Sequence, residues 1–327
     1  MKKLICILLS VLMMVSVLSF VSCNGKNDGL KFGMGVYTGT PTATDATEDK
    51  DGEGKVAITV AVITVDADGK VVACELDTAE NSVKYTAEGK AVATANFKTK
   101  YEKGSDYGMV AYGKAEKEWF EQADAFEDVV VGKTLDEIKA LVAKDDKGTE
   151  DVISAGCTIM INEFIGAIEK AFANLEDSDA TKDSSLKLGI YTEQSIKDAD
   201  GEKDGENKIE TTAFAAAMDE DGKVIVAASD CVQVKFTFDA TGDSTFDTTK
   251  AVSSKRQLGT NYGMVAYGNA EKEWFEQADE FEALCAGKTI EEVVGLCEDD
   301  NYGTEDVKSA GCTMLVNGFT KAAAKIG

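Results

Sequence analysis

Two short segments hold the residues able to do chemistry, and each is written twice at a constant offset of 155 residues. The first is Ser154-Ala155-Gly156-Cys157-Thr158, repeated as Ser309-Ala310-Gly311-Cys312-Thr313. A hydroxyl, a thiol and small residues stand together ahead of an apolar run. A glycine turn of this kind can aim backbone N–H groups at a phosphate or an oxyanion. The chain contains no histidine. Neither the serine nor the cysteine therefore has an evident general base, and His–Asp–Ser triads and histidine metal ligands are excluded. The alternative reading is a buried turn in which cysteine is a small apolar filler.

The second segment is Tyr107–Asp124, YGMVAYGKAEKEWFEQAD, repeated as Tyr262–Asp279 with one difference, Lys114 against Asn269. Its Tyr-Gly pairs, Tyr107-Gly108 and Tyr112-Gly113 with Tyr262-Gly263 and Tyr267-Gly268, offer flat aromatic faces where the backbone can approach a planar ligand. They equally suit a tight packed turn. The rest reads as a helix over Lys114–Phe126, with Ala115, Trp119, Phe120, Ala123 and Phe126 on one face. Core packing accounts for those residues. It does not account for the repetition of the polar face, Glu116, Lys117, Glu118, Glu121 and Gln122.

Two other patterns fail on spacing. Asp49, Asp51, Glu53 and Gly54 fit the start of a calcium loop, but Val60 stands where a bidentate glutamate is needed. Gly132-Lys133-Thr134 and Gly287-Lys288-Thr289 match the end of a phosphate-binding loop, but Glu127 and Glu282 replace its first glycine. Both threonines are better read as helix caps, since Thr134-Leu-Asp-Glu137 and Thr289-Ile-Glu-Glu292 have the form of capping boxes. No CxxC pair is present, so no zinc site is expected. Cys285 and Cys297 face valines at 130 and 142 in the first repeat, which reads them as buried apolar positions, with a disulfide between them as the alternative.

These segments must be positioned by a doubled α+β framework. Each repeat opens with a strand, around Phe32–Gly39 and Leu188–Thr192, followed by an acidic loop. Lys55–Val65 and Val71–Leu76 flank Asp68-Gly69, and Lys208–Met218 and Val224–Ala228 flank Asp221-Gly222; both read as hairpins. A further extended segment, Ala91–Lys100 or Ala251–Lys255, leads to the repeated stretch. Two helices follow, then a short strand over Cys157–Ile161 and a helix capped by Asn162, or by Asn317 in the second repeat. The expectation is two tandem homologous domains, 32–175 and 186–327, each an antiparallel sheet with helices packed on one face. A polar linker, 176–185, joins them.

The N-terminus has the form of a secretory leader. Met1-Lys2-Lys3 is a basic start, Leu4–Phe20 is apolar, and small residues precede Cys23. The apolar run is short for a transmembrane helix. Residues 1–22 read as a signal peptide and 23–31 as a tether. Removing 1–22 takes away Lys2 and Lys3 and no acid, which lowers the net charge from −25 to −27. Such a surface repels phosphate backbones, so nucleic acid is not an expected partner.

Two resemblances follow from these residues. The residues before Cys23 resemble a bacterial lipobox, which implies lipidation of Cys23 and anchoring at the outer face of the cytoplasmic membrane. The order of first strand, DGK hairpin and helices, then Asp151-Val-Ile-Ser154-Ala-Gly-Cys157-Thr158 with Asp306-Val-Lys-Ser309-Ala-Gly-Cys312-Thr313, resembles the FMN-binding domain family. The family hallmark is Asp-x-x-Ser-Gly-Ala-Thr, whose threonine takes FMN through a phosphoester. Here that place is cysteine in both repeats, and the threonine follows one residue later. The resemblance implies a flavin-carrying lipoprotein that passes electrons to a partner protein. Thr158 and Thr313 would hold the flavin phosphate beside Ser154, Gly156, Cys157, Ser309, Gly311 and Cys312. Tyr107, Tyr112, Tyr262 and Tyr267 would flank the ring. The alternative is a non-catalytic surface protein that binds a ligand or a protein on the same framework, since no complete catalytic set is visible.

Overall fold

The computed structural model describes residues 29–326. The signal peptide over 1–22 and the lipidation site Cys23 lie outside the described residues.

The strands are long and buried on both faces, and this organises the fold. In the first half β1 (Lys31–Thr38) lies between β3 (Gly52–Val65) and the two-residue β6 (Glu176–Asp177). The short β2 (Thr42–Thr44) pairs with β3, and β3 pairs along its length with β4 (Val71–Tyr85). A second hairpin joins β4 to β5 (Ala91–Val92). The second half repeats the core as β7 (Ser185–Lys197), β8 (Gly205–Met218) and β9 (Val224–Phe238). All pairings are antiparallel.

Along β3 the side chains alternate between two cores. Val56, Ile58, Val60 and Val62 join a cluster with Ile209, Ala213, Val232 and Phe236 of the second half. Ala61, Ile63 and Val65 face the helices of their own half. A strand covered on both sides has no polar face to display, which is why VAITVAVITV is nearly continuous in apolar residues. The layers are therefore helices, sheet, sheet, helices. The sequence reading placed helices on one face of each sheet; the other face is covered by the second repeat, so the two repeats share a core.

The joint between the halves is reciprocal. Ala46 N–H donates to Gly242 O at 2.8 Å, and Ala199 N–H donates to Gly89 O at 2.9 Å. Asp45 accepts from Ser244 N–H, and Asp198 accepts from Ala91 N–H. Tyr85 and Phe238, at corresponding places in the two halves, stack with ring centroids 4.5 Å apart and planes 5° from parallel. This is the contact pattern of a two-fold interface. The expected polar linker takes part in it: β6 pairs with β1, Ala180 is buried, and Ala180 O accepts from Leu30 N–H. The tether likewise ends inside the fold, because Leu30 is buried and Lys31 opens β1.

Helices cover the outer faces. In the first half they are α1 (Lys100–Lys103), α2 (Trp119–Val130), α3 (Leu135–Lys139), α4 (Glu150–Ala155) and α5 (Asn162–Ala173), with a 3-10 turn at Gly104–Tyr107. The second half has α6 (Lys255–Leu258), α7 (Met264–Gly268), α8 (Trp274–Cys285), α9 (Ile290–Val294), α10 (Glu305–Ala310) and α11 (Asn317–Ala323). Gly35 lets α5 lie directly on β1, since a Cβ there would meet Ala167 O at 2.1 Å. No helix among the described residues is long and apolar enough to cross a membrane.

Several local expectations hold. Thr134 and Thr289 cap α3 and α9 in full capping boxes. The turns at Asp66–Lys70 and Asp219–Lys223 are closed by their aspartates, with Gly69 and Gly222 at φ 76° and 74°. Others differ. The helix expected from Lys114 starts at Trp119, because Lys114 sits at φ 57° and the Glu118–Glu121 capping box begins the helix there. Cys157–Ile161 forms no strand; only an isolated bridge from Met160 to Lys147 is made. Asn162 is the first helical residue of α5 and not its cap. The stretch to Lys100 is strand only at Ala91–Val92, and Lys100 opens a helix; Ala251–Lys255 contains no strand, and Lys255 opens one.

Candidate functional site

The repeated stretch builds one cleft in each half. In the first, β3 and β4 supply Ala57, Thr78 and Glu80, α1 supplies Lys100, and the following turns supply Tyr107 and Met109. Trp119 and Phe164 close the floor, and Thr158–Met160 form one rim. The cleft has a volume of about 680 Å³. The second cleft, about 380 Å³, is built from the corresponding Lys255, Tyr262, Met264, Trp274, Asn317 and Phe319.

Lysine sits against aromatic faces in both. Lys100 Nζ lies 5.3 Å from the Tyr107 ring centre and 5.6 Å from that of Trp119. Lys255 Nζ lies 5.2 and 5.6 Å from Tyr262 and Trp274. At such distances the ring faces attract the ammonium. In the second cleft Lys255 also pairs with Glu210 at 3.5 Å. Burial works against its charge, and Cys231, Glu210 and Tyr262 more than offset that, so its pKa is raised.

The polar face of the repeated stretch holds the cleft in shape. Glu118 accepts from Met109 N–H at 2.9 Å and Val110 N–H at 3.1 Å, which folds the Tyr-Gly loop back onto α2. Gln122 accepts from Thr158 N–H at 2.9 Å and from the Thr158 hydroxyl at 3.0 Å, and its amide donates to Lys117 O. Glu273 and Gln277 do the same for Met264, Val265 and Thr313. Both glutamates and both glutamines are buried. Their hydrogen bonds explain why this face repeats together with the apolar one.

The Ser-Ala-Gly-Cys-Thr segment is placed differently from the phosphate-binding turn expected of it. Ser154 and Ser309 are exposed on α4 and α10, and Gly156 and Gly311 end those helices at φ 111° and 108°. The N–H groups of Gly156 and Cys157 donate to Ile153 O and Val152 O, and that of Thr158 to Gln122. In the second repeat those of Gly311, Cys312 and Thr313 are engaged in the same way. A helix C-terminus also presents carbonyls, which favour a cation. Lys117 Nζ stands at Ala155 O, 3.5 Å away. The backbone N–H groups expected to cradle a phosphate are therefore engaged within the protein, and the helix end beside them presents carbonyls. Cys157 and Cys312 are fully buried, and burial pushes each thiol up to about 11.

Of the expected site residues, Tyr107 and Thr158 line the first cleft and Tyr262 the second. Tyr112 and Tyr267 stand outside, 87 % and 88 % exposed, with their rings over Gly108 and Gly263. Lys100 and Lys255 escaped the sequence reading. Their signal was a lysine seven residues before the repeated tyrosine in both halves. The six cysteines of the described residues are free thiols, so Cys285 and Cys297 form no disulfide. No metal-holding cluster occurs among the described residues. Comparison of the chain with protein-family models, with curated proteins and with solved structures gives no match.

Proposed function

We propose that the protein is a lipid-anchored, extracytoplasmic binding protein with one small-molecule cleft per repeat and no catalytic role. One observation carries this reading: the same Lys–Tyr–Met–Trp cleft is built twice, with its shaping hydrogen bonds intact, while nearby segments have drifted. A largely apolar concavity with a few placed polar groups is the usual form of a ligand site. Burial raises the thiols of Cys157 and Cys312 to about 11, and likewise that of Cys231, which lines the second cleft beside Lys255, so each is held in its unreactive form.

The chain has two tryptophans, and each cleft contains one. Tryptophan emission is thus a direct report on both sites. Native mass spectrometry of protein purified gently from its own membrane should show a retained small molecule, and adding that molecule back should shift the emission. Purified protein that carries nothing, and whose emission no compound in a broad metabolite screen alters, would defeat the reading.

A second reading is a flavin-dependent electron carrier. In its favour, Tyr107 and Thr158 line one cleft. The engaged N–H groups around Thr158 supply no phosphate cradle, so this reading stands or falls on a visible flavin spectrum in protein coexpressed with a flavin transferase.

A further inference from the structure

The two clefts share one wall and differ in the other, and the difference is electrostatic. The constant wall is Lys, Tyr, Met and Trp. The variable wall is the sheet, where Ala57 of β3 holds the place of Glu210 in β8: Ala57 is paired with Glu80, and Glu210 with Gln233. Glu210 is the counter-ion of Lys255. The first repeat has no such carboxylate, and among the described residues Lys100 makes no ion pair, only its contacts with Tyr107 and Trp119. The same cleft is lined by Glu80, which accepts from the Tyr107 hydroxyl at 3.2 Å, by Glu163, which accepts from Thr59 at 3.3 Å, and by a second lysine, Lys147. Each carboxylate keeps further acceptor capacity. Between the charges the lining is apolar, with Met109, Ile159 and Met160, the last 62 % exposed.

We propose that the first cleft binds an apolar zwitterion of the amino-acid or dipeptide class. Its carboxylate rests on Lys100, its side chain lies on the methionine–isoleucine wall, and its ammonium faces Glu80 and Glu163. The second cleft, where Glu210 already pairs with both Lys255 and Lys208, binds the same molecule more weakly. A strongly acidic protein repels carboxylates in general, so a lysine without a carboxylate partner in a cleft selects for a ligand that carries its own positive charge beside the negative one. This inference rests on the binding-protein reading above and deepens it.

The test uses the mature protein with Trp274→Phe, which leaves Trp119 as the only emitter. The dipeptide Leu-Phe, octanoate and octylamine are the probes. Leu-Phe should change Trp119 emission saturably, and octanoate and octylamine should bind at least about ten-fold more weakly, a gap of one charged contact. Lys100→Gln should weaken Leu-Phe by about ten-fold or more, and Glu163→Gln by a smaller factor. Ala57→Glu, which gives the first repeat the counter-ion of the second, should also weaken binding while leaving the unfolding midpoint near that of the parent. Octanoate or octylamine binding as tightly as Leu-Phe would overturn the inference, as would Lys100→Gln or Ala57→Glu without effect. A ligand lacking both charges that fills the first cleft would overturn this inference and leave the broader binding reading standing.

Discussion

The two repeats solve the same burial problem in opposite ways. In the second, Glu282 of α8 meets Arg256, which donates to it at 2.6 Å, to Asp279 at 2.7 Å and to Ser229 O at 2.7 Å. In the first, Glu127 holds the same place but Tyr101 replaces the arginine, and the tyrosine hydroxyl reaches only Asp124, at 3.2 Å. Glu127 accepts from Leu76 N–H at 2.7 Å and has Glu75 for a charged neighbour. Burial pushes its pKa up to about 8, whereas Glu282, which burial also raises, stops at about 7 against the pull of Arg256 and Ser229. A carboxyl without a cation is kept by protonation, and one with a cation by pairing. The lesson extends to the clefts, where Lys255 has its glutamate and Lys100 does not.

The largest effect should come from breaking the paired side. Arg256→Ala leaves Glu282 partly buried without its cation, held only by Ser229, and should lower unfolding stability by about 3 kcal/mol in denaturant titration. Tyr101→Phe at the corresponding place should cost under about 1 kcal/mol, since it removes one exposed hydrogen bond. Equal losses would mean that the two sides do not differ as described.

The unpaired side can be sharpened by removing its charge. The folded pKa of Glu127 is above its usual value, so the native state holds the proton more tightly than the unfolded chain. Its contribution is fully present below about pH 4.5 and is lost as pH rises towards about 8. Glu127→Gln should therefore raise stability by about 1–2 kcal/mol at pH 8 and by nothing at pH 4. A gain that is the same at both values would refute the protonation account.

A smaller effect probes what the repeats have in common. Gln122→Ala and Gln277→Ala each remove the acceptor for a threonine N–H and hydroxyl, and each should cost about 1–2 kcal/mol. Tryptophan emission should shift in both, because the turn that rims each cleft is released. Smallest of all, native thiol labelling at neutral pH should modify Cys297 alone among the six cysteines of the described residues, since the other five are buried. Rapid modification of Cys157 or Cys312 would show that the turn is open in one repeat.

Legibility in the sequence followed range. Features closed within a few residues were readable: the Thr134 and Thr289 capping boxes, the aspartate-closed hairpins, and the helical spacing of Phe164, Ile165 and Ile168 in α5. Features closed over long separations were not. Nothing local to Val60 or Val62 says that the second repeat covers them, and Ala180 reads as linker until Leu30 is seen to bond to it. The candidate site failed for the same reason. Ser-Ala-Gly-Cys-Thr has the composition of an anion turn, but Gln122 and the α4 carbonyls take its donors from 36 and a few residues away. Tyr107 was readable as a cleft residue because its repetition survived; Lys100 was hidden in a segment expected to be extended.

The reciprocal joint between the halves has a consequence for how this molecule can vary. In a dimer of identical chains, any substitution beside the two-fold axis is made twice, so a change that helps one side must be tolerated on the other. Here the stacked Tyr85 and Phe238 already differ, and Arg256 exists on one side only. Covalent fusion has released each half from the obligation to match its twin, while fixing their ratio at one to one and making their union independent of dilution. One half is free to keep an old ligand while the other acquires a new one, within a single inherited unit.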